Sequence, residues 1–224
     1  MSRLLAFGDV HGCSLQLDAL LEAIRPTADD TIVFLGDLVD RGPDSKGTVD
    51  RVIAWSQSHR VICLRGNHEI LMTTAKEHVA ERKMWFSVGG SETLASYSRF
   101  PGRLAKFEDV PDEHWDFFGE FRAYYETDEA IFVHATLDAA RPLEDQTDET
   151  LYWSKLDGPI DWPGGRTVIC GHTAQKSGRV LDLGNTICLD TYAYGGGALT
   201  CLDVRSLTCW QADLRGRVEV SRLR

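Results

Sequence analysis

No run in this chain approaches the ~20 apolar residues that a membrane-spanning helix needs, so no membrane partner is expected. The six cysteines (Cys13, Cys63, Cys170, Cys188, Cys201 and Cys209) form no CxxC pair. A structural zinc site built from them is therefore not expected, and they read as small buried hydrophobes in a reducing compartment. Cationic residues are scarce, 24 Lys and Arg against 34 Asp and Glu, which leaves a formal net charge of −10. A general nucleic-acid binder would need a basic face. A phosphorylated substrate stays open, because bound metals invert the local field of an acidic site. The start of the chain, residues 1–9, is interrupted by polar residues too early for a secretory leader, and a cytoplasmic location is expected. There is no repeat, low-complexity tract or linker. What remains is 224 residues, 43% of them hydrophobic, enough for one substantial domain over 1–224.

Apolar stretches alternate with helical patterns at the start. Strands are predicted at 3–7, 31–35 and 60–64, and helices at 14–25 (Ser14 as N-cap, Pro26 beyond the end) and 44–58. That order implies parallel pairing with right-handed crossovers. Residues 70–127 are rich in Glu, Lys, Arg and aromatics and read as an α-helical insertion whose aromatics, Trp85 among them, belong to the core. A strand follows at 130–133. A polar loop region fills 137–166, with one short helical piece near Thr150. Short strands are predicted at 167–170, 179–183, 186–190, 197–203, 207–213 and 217–222, with Gly184-Asn185 as a hairpin turn. A parallel half followed by an antiparallel half suggests an α/β fold of two packed mixed sheets flanked by helices.

Three runs stand at the ends of the first three strands: Gly8-Asp9-Val10-His11-Gly12, Gly36-Asp37-Leu38-Val39-Asp40-Arg41-Gly42 and Gly66-Asn67-His68-Glu69. His134 and His172 repeat the pattern after later strands. Asp9 and His11 share a face of an extended segment, and Gly8 and Gly12 let the backbone turn beside a ligand. Asp37 can bridge two cations, Asn67 offers an amide oxygen, and the two histidines offer imidazole nitrogens. Each element alone has an ordinary structural explanation. Five in order suggest a dinuclear site with metals ~3.5–4 Å apart and hydrolysis of a phosphate ester. Mixed carboxylate, amide and imidazole donors suit manganese, iron or zinc better than calcium.

Together these blocks resemble the signatures of the PPP serine/threonine protein phosphatases, within the calcineurin-like metallophosphoesterase superfamily. Trp85, Gly89-Gly90, Thr93-Leu94, Ser96-Tyr97, His134-Ala135 and Arg141-Pro142-Leu143-Glu144-Asp145-Gln146 resemble the bacterial branch. The resemblance implies that fold and two divalent metals per chain, manganese first, with iron, zinc, nickel or magnesium as alternatives. It implies that Asp9, His11 and Asp37 hold one metal and Asp37, Asn67, His134 and His172 the other. Arg41 would bind phosphate oxygens, and His68, partnered by Asp40, would protonate the leaving alcohol. A carboxylate on one ring nitrogen would fix the tautomer and leave the other ready to donate. Asp40 and Arg41 could instead pair with each other on a turn, and Glu69 reads as a hydrogen-bonding support.

Two departures matter. Lys155 stands where the branch carries a phosphate-clamping arginine, which would keep the charge but lose the bidentate fork; a solvated surface lysine is the competing explanation. Tyr194, in Asp190-Thr191-Tyr192-Ala193-Tyr194, resembles the tip of a late hairpin that overhangs the metals, or is a plain turn aromatic. The expected activity is direct hydrolysis of phosphoserine or phosphothreonine in proteins or peptides, and of small aryl phosphates, without a phosphoenzyme. The alternatives are a symmetrical dinucleoside tetraphosphate hydrolase and a catalytically silent metal-binding module. Against the dinucleotide reading, that relative usually continues Gly-Asn-His-Asp-Leu-His, whereas Glu69-Ile70-Leu71 follow His68 here. The oligomeric state stays open.

Overall fold

Apolar and β-branched residues build the strands that carry the three signature runs. In a computed structural model, which describes residues 2–224, β1 (Leu4–Phe7), β2 (Thr31–Phe34) and β3 (Arg60–Cys63) pair in parallel, with Ala6 opposite Val33 and Val33 opposite Ile62. Helices α1 (Ser14–Ile24) and α2 (Ser45–Ser56) make the crossovers. The buried face of α1 is Gln16, Leu17, Leu20 and Ile24, at helical spacing. The expected Ser14 cap gives way to Cys13. The Cys13 N–H already donates to Val10 O, so helical geometry begins at Ser14. The Ser14 hydroxyl instead donates to Asp44 Oδ2 (2.6 Å), and Asp44 caps α2 by accepting from Gly47 N (2.9 Å).

The chain then forms α3 (Asn67–Glu77), a short helix α4 (Arg82–Trp85), a π-type turn (Phe86–Gly90), α5 (Ser91–Tyr97) and α6 (Asp112–Gly119). This helical stretch opens inside the third signature run and closes on a strand, β4 (Tyr124–Glu126), so its boundaries differ from the 70–127 read from composition. The remaining strands are β5 (Ala130–Val133), β6 (Thr167–Cys170), β7 (Leu181–Asp182), β8 (Thr186–Cys188), β9 (Ala198–Asp203), β10 (Thr208–Asp213) and β11 (Val218–Arg222). Gly184-Asn185 joins β7 to β8 as a hairpin, closed by Leu183 N donating to Thr186 O (2.9 Å).

The two sheets run β11-β10-β9-β1-β2-β3 and β4-β5-β6-β8-β7. Parallel and antiparallel pairing do not separate into different sheets. β9 docks antiparallel on the free edge of β1, Phe7 opposite Cys201, while β5, β6 and β8 are parallel within the second sheet. Between the sheets lie Leu4, Ala6, Val33, Leu35, Ile62, Phe132, Ile169, Ile187 and Leu189. The outer face of the first sheet (Leu5, Phe7, Ile32, Phe34) packs on α1 and α2, and that of the second (Ile131, Val133, Val168) on Leu151, Tyr152 and Trp162. All six cysteines are buried and unpaired as disulfides. Among the described residues no helix is long and apolar enough to cross a membrane.

Candidate metal centre

The ends of β1, β2, β3, β5, β6 and β8 open at one edge of the sandwich, and the loops there are fastened to one another through the backbone. Val10 N and His11 N both donate to Asp37 O, and Gly12 N donates to Leu38 O. Glu69 ties the second and third runs together: its carboxylate accepts from Asp37 N (2.9 Å), Leu38 N (2.7 Å) and Gly66 N (2.9 Å). Burial and the nearby Asp37 carboxylate push Glu69 up to about 7 despite those donors. His11, Asp37, Asp40, Arg41 and His172 all have positive φ, between 46° and 71°. Such conformations cost energy in non-glycine residues and cluster where side chains must be aimed.

Each imidazole is aimed by a carbonyl. His11 Nδ1 meets Val39 O at 2.9 Å and His134 Nδ1 meets Leu35 O at 2.8 Å. His172 Nε2 meets Trp153 O at 3.0 Å. A carbonyl can only accept, so those nitrogens carry the protons and the opposite nitrogens are bare acceptors. In two rings the bare nitrogen faces another acceptor: Asn67 Oδ1 lies 3.0 Å from His134 Nε2 and 2.9 Å from His172 Nδ1. Asp37 Oδ1 is 3.5 Å from His134 Nε2. Lone pairs do not hold one another at that distance; a cation bound by all three would, as would the amide turned over so that Nδ2 donates to both rings. Burial keeps the three rings neutral, His11 and His134 displaced downward and His172 down to about 4, which is the state a metal ligand needs.

Around Asp37 the donor atoms of His11 and His68 cluster on one side, and those of His134 and His172 on the other. Asp9 joins neither tight group. It is buried, accepts from His172 N (3.0 and 3.2 Å), and shares a hydrogen bond with Asp190, a residue that sequence reasoning left out of the site. Burial and the Asp190 and Asp37 carboxylates raise Asp9 well above the usual carboxylate range, and burial lifts Asp190 to about 6. The buried carboxylates Asp9 and Asp190, displaced upward, and Asp37 between the two histidine clusters make a mixed O/N donor set of the kind that fits divalent transition metals. The residues present fit a two-metal site with Asp37 in the middle.

Beside the ligand cluster, His68 Nδ1 bonds Asp40 Oδ2 at 2.7 Å, and His68 Nε2 is buried without a partner. Burial pushes the ring down, but the Asp37 and Asp40 carboxylates outweigh it and leave His68 raised. Asp40 does not pair with Arg41. The Arg41 guanidinium donates to His11 Nε2 (3.0 Å) and lies 4.8 Å from the centre of the Tyr194 ring, which meets His11 edge-on at 5.0 Å. Tyr194 therefore stands at the site rather than on a free turn. Lys155 is exposed and forms no hydrogen bond or ion pair among the described residues, although Trp153, two positions earlier, holds His172. Trp85 and Thr93, named from the sequence as parts of the insertion resembling the bacterial branch and not as site residues, also reach the site: Trp85 Nε1 and Thr93 Oγ1 donate to Asp40. The sequence signal for Asp190 is a carboxylate two positions past an apolar strand, the same pattern that marks Asp9.

Comparison with known proteins agrees with this geometry. A model of the calcineurin-like phosphoesterase family matches residues 2–190. The chain belongs to that family. Curated relatives include the symmetrical bis(5'-nucleosyl)-tetraphosphatases of Ralstonia nicotianae (46% identical over 65 residues, 29% of this chain and 22% of that one) and Burkholderia pseudomallei (33% over 85 residues, 38% and 29%). The chain thus matches about a quarter of the length of those relatives. Similar solved structures include a protein provisionally named a diadenosine tetraphosphatase (TM-score 0.69, 21% identity, covering 98% of this chain and 93% of that one). A protein serine/threonine phosphatase from Saccharomyces cerevisiae is also similar (TM-score 0.59, 16% identity, 100% and 80%). At these identities the structures bear on the fold. The names of these curated relatives are those of the dinucleotide alternative.

Proposed function

We propose that this protein hydrolyses symmetrical dinucleoside tetraphosphates at the middle of the phosphate chain, using two divalent metals. The observation that carries the hydrolase reading is the set of bare acceptors around Asn67 Oδ1 next to the unpartnered His68 Nε2. Asp9, His11 and Asp37 would hold one ion, and Asp37, Asn67, His134 and His172 the other, with manganese the first candidate. The chemistry such a pair supplies when bound is Lewis-acid activation of water for attack on phosphorus. Arg41 binds phosphoryl oxygens and offsets their charge. His68, held by Asp40, delivers the Nε2 proton to the departing oxygen. The substrate class draws its support from the names of the curated relatives. The Tyr192–Tyr194 aromatic pair, 4.8 Å between ring centres, adds a surface on which a base can stack beside Arg41.

Phosphomonoester hydrolysis on phosphoproteins is the second reading, favoured by Glu69-Ile70-Leu71 following His68 where the dinucleotide relative usually continues Asp-Leu-His. Turnover of diadenosine tetraphosphate and of a phosphothreonine peptide, measured side by side with manganese, separates the two. The dinucleotide should be the better substrate by kcat/KM, with two nucleoside diphosphates as products. Preference for the peptide reverses the order, and turnover of neither overturns both.

A further inference from the structure

Asp40 is saturated with hydrogen bonds, and most of them involve the insertion. Its Oδ2 accepts from His68 Nδ1 (2.7 Å) and Trp85 Nε1 (2.9 Å), and its Oδ1 from Thr93 Oγ1 (2.7 Å) and again from Trp85 Nε1 (3.0 Å). The Asp40 N–H donates to Thr93 Oγ1 (2.9 Å) and to Ser45 Oγ (3.0 Å). Trp85 and Thr93 are both fully buried. They flank the π-type turn, a feature that often marks functional positions. Within that turn Gly89 O accepts from Arg41 N (3.4 Å), and a Cβ on Gly89 would run into the Arg41 backbone. The insertion is thus pressed against two consecutive residues in left-handed conformation, Asp40 and Arg41, with φ of 71° and 68°.

We propose that Trp85 and Thr93 are positioning residues for proton transfer: they lock the Asp40 carboxylate in the one orientation that holds His68 with Nε2 facing the reacting phosphate. The inference rests on the reading of His68 as proton donor. A carboxylate held only by His68 could rotate about its Cβ–Cγ bond and carry the ring with it. The indole N–H straddles both oxygens and the threonine hydroxyl pins one, so the carboxylate is held at both oxygens by groups other than His68. The network is arranged as in metal and catalytic sites where an outer hydrogen bond sets the tautomer and aim of an imidazole.

The test uses two aryl phosphates that differ in their need for a proton. Nitrophenolate leaves from p-nitrophenyl phosphate with little help, whereas phenolate leaves from phenyl phosphate slowly unless protonated. Trp85→Phe keeps the ring and deletes one N–H; Thr93→Val keeps the shape and deletes one hydroxyl. With saturating manganese, each should lower kcat on phenyl phosphate by about 10–100-fold, a fraction of a full general-acid contribution. Each should change kcat on p-nitrophenyl phosphate by less than about threefold and leave KM within about twofold, since the phosphate contacts stay in place. His68→Asn should show the same split, larger. If His68→Asn shows the split and neither positioning variant does, the inference fails while the acid assignment stands. Equal losses on both esters in the variants assign Trp85 and Thr93 a merely structural role and also overturn it. If His68→Asn slows both esters equally, the acid assignment itself falls. Should Trp85→Phe not fold, Thr93→Val alone decides.

Discussion

The two sides of the candidate metal centre are built from different chemistry. On one side Asn67, His134 and His172 present neutral donors, each ring oriented by a backbone carbonyl. On the other, beside His11, lie the carboxylates Asp9 and Asp190, both displaced upward chiefly by their burial. Asp37 belongs to both sides. The neutral side is set by geometry: its ligands are already aimed, and a cation would replace lone-pair contacts at 2.9–3.0 Å. The acidic side is set by charge, and its carboxylates gain most from a cation. One loop edge can therefore offer two unlike sites that share a single bridging residue.

Substitutions can break this comparison or sharpen it. Asp37→Asn should have the largest effect, because it weakens both sides at once. Turnover should fall to background, and calorimetric titration with manganese should show both sites weakened together; two sites of full strength would contradict the bridging role. His68→Asn should lower kcat on phenyl phosphate by ~10²–10⁴-fold while two metals per chain stay bound; loss of an ion in that variant would make His68 a ligand. His172→Ala should weaken the neutral side alone, seen as one lost binding event with the other unchanged. Glu69→Ala should act on the scaffold beneath both sides. It strands three buried N–H groups, at a cost of about 1–3 kcal/mol for each one left unsatisfied, and thermal melting without metal should show the loss. Lys155→Ala should be nearly silent, within about 0.5 kcal/mol in stability as for an exposed substitution, with turnover on the dinucleotide unchanged. A large rise in KM would return Lys155 to the phosphate site.

Much of this arrangement is legible in the sequence because the signals are local. Glycine beside Asp, His or Asn after an apolar strand places a ligand type at a strand end, and parallel crossovers bring strand ends to one edge. Gly184-Asn185 announces its hairpin in the same way. The illegible parts depend on contacts between distant residues. Nothing near Ser14 shows that its hydroxyl will cross to Asp44 rather than cap its own helix. Trp85 looks like core because it is core; that its N–H meets Asp40, 45 positions earlier, follows only from how the insertion docks. The docking of β9 on β1 is likewise a choice among sheet edges that strand periodicity does not encode.

The most direct test is metal content together with its location. Protein crystallised with manganese, with anomalous diffraction recorded at the metal edge, should show two ions per chain flanking Asp37, one among Asn67, His134 and His172 and the other beside His11 and Asp9. One ion or none at that edge, with Asn67 Oδ1 still facing both imidazoles at saturating manganese, would contradict the account.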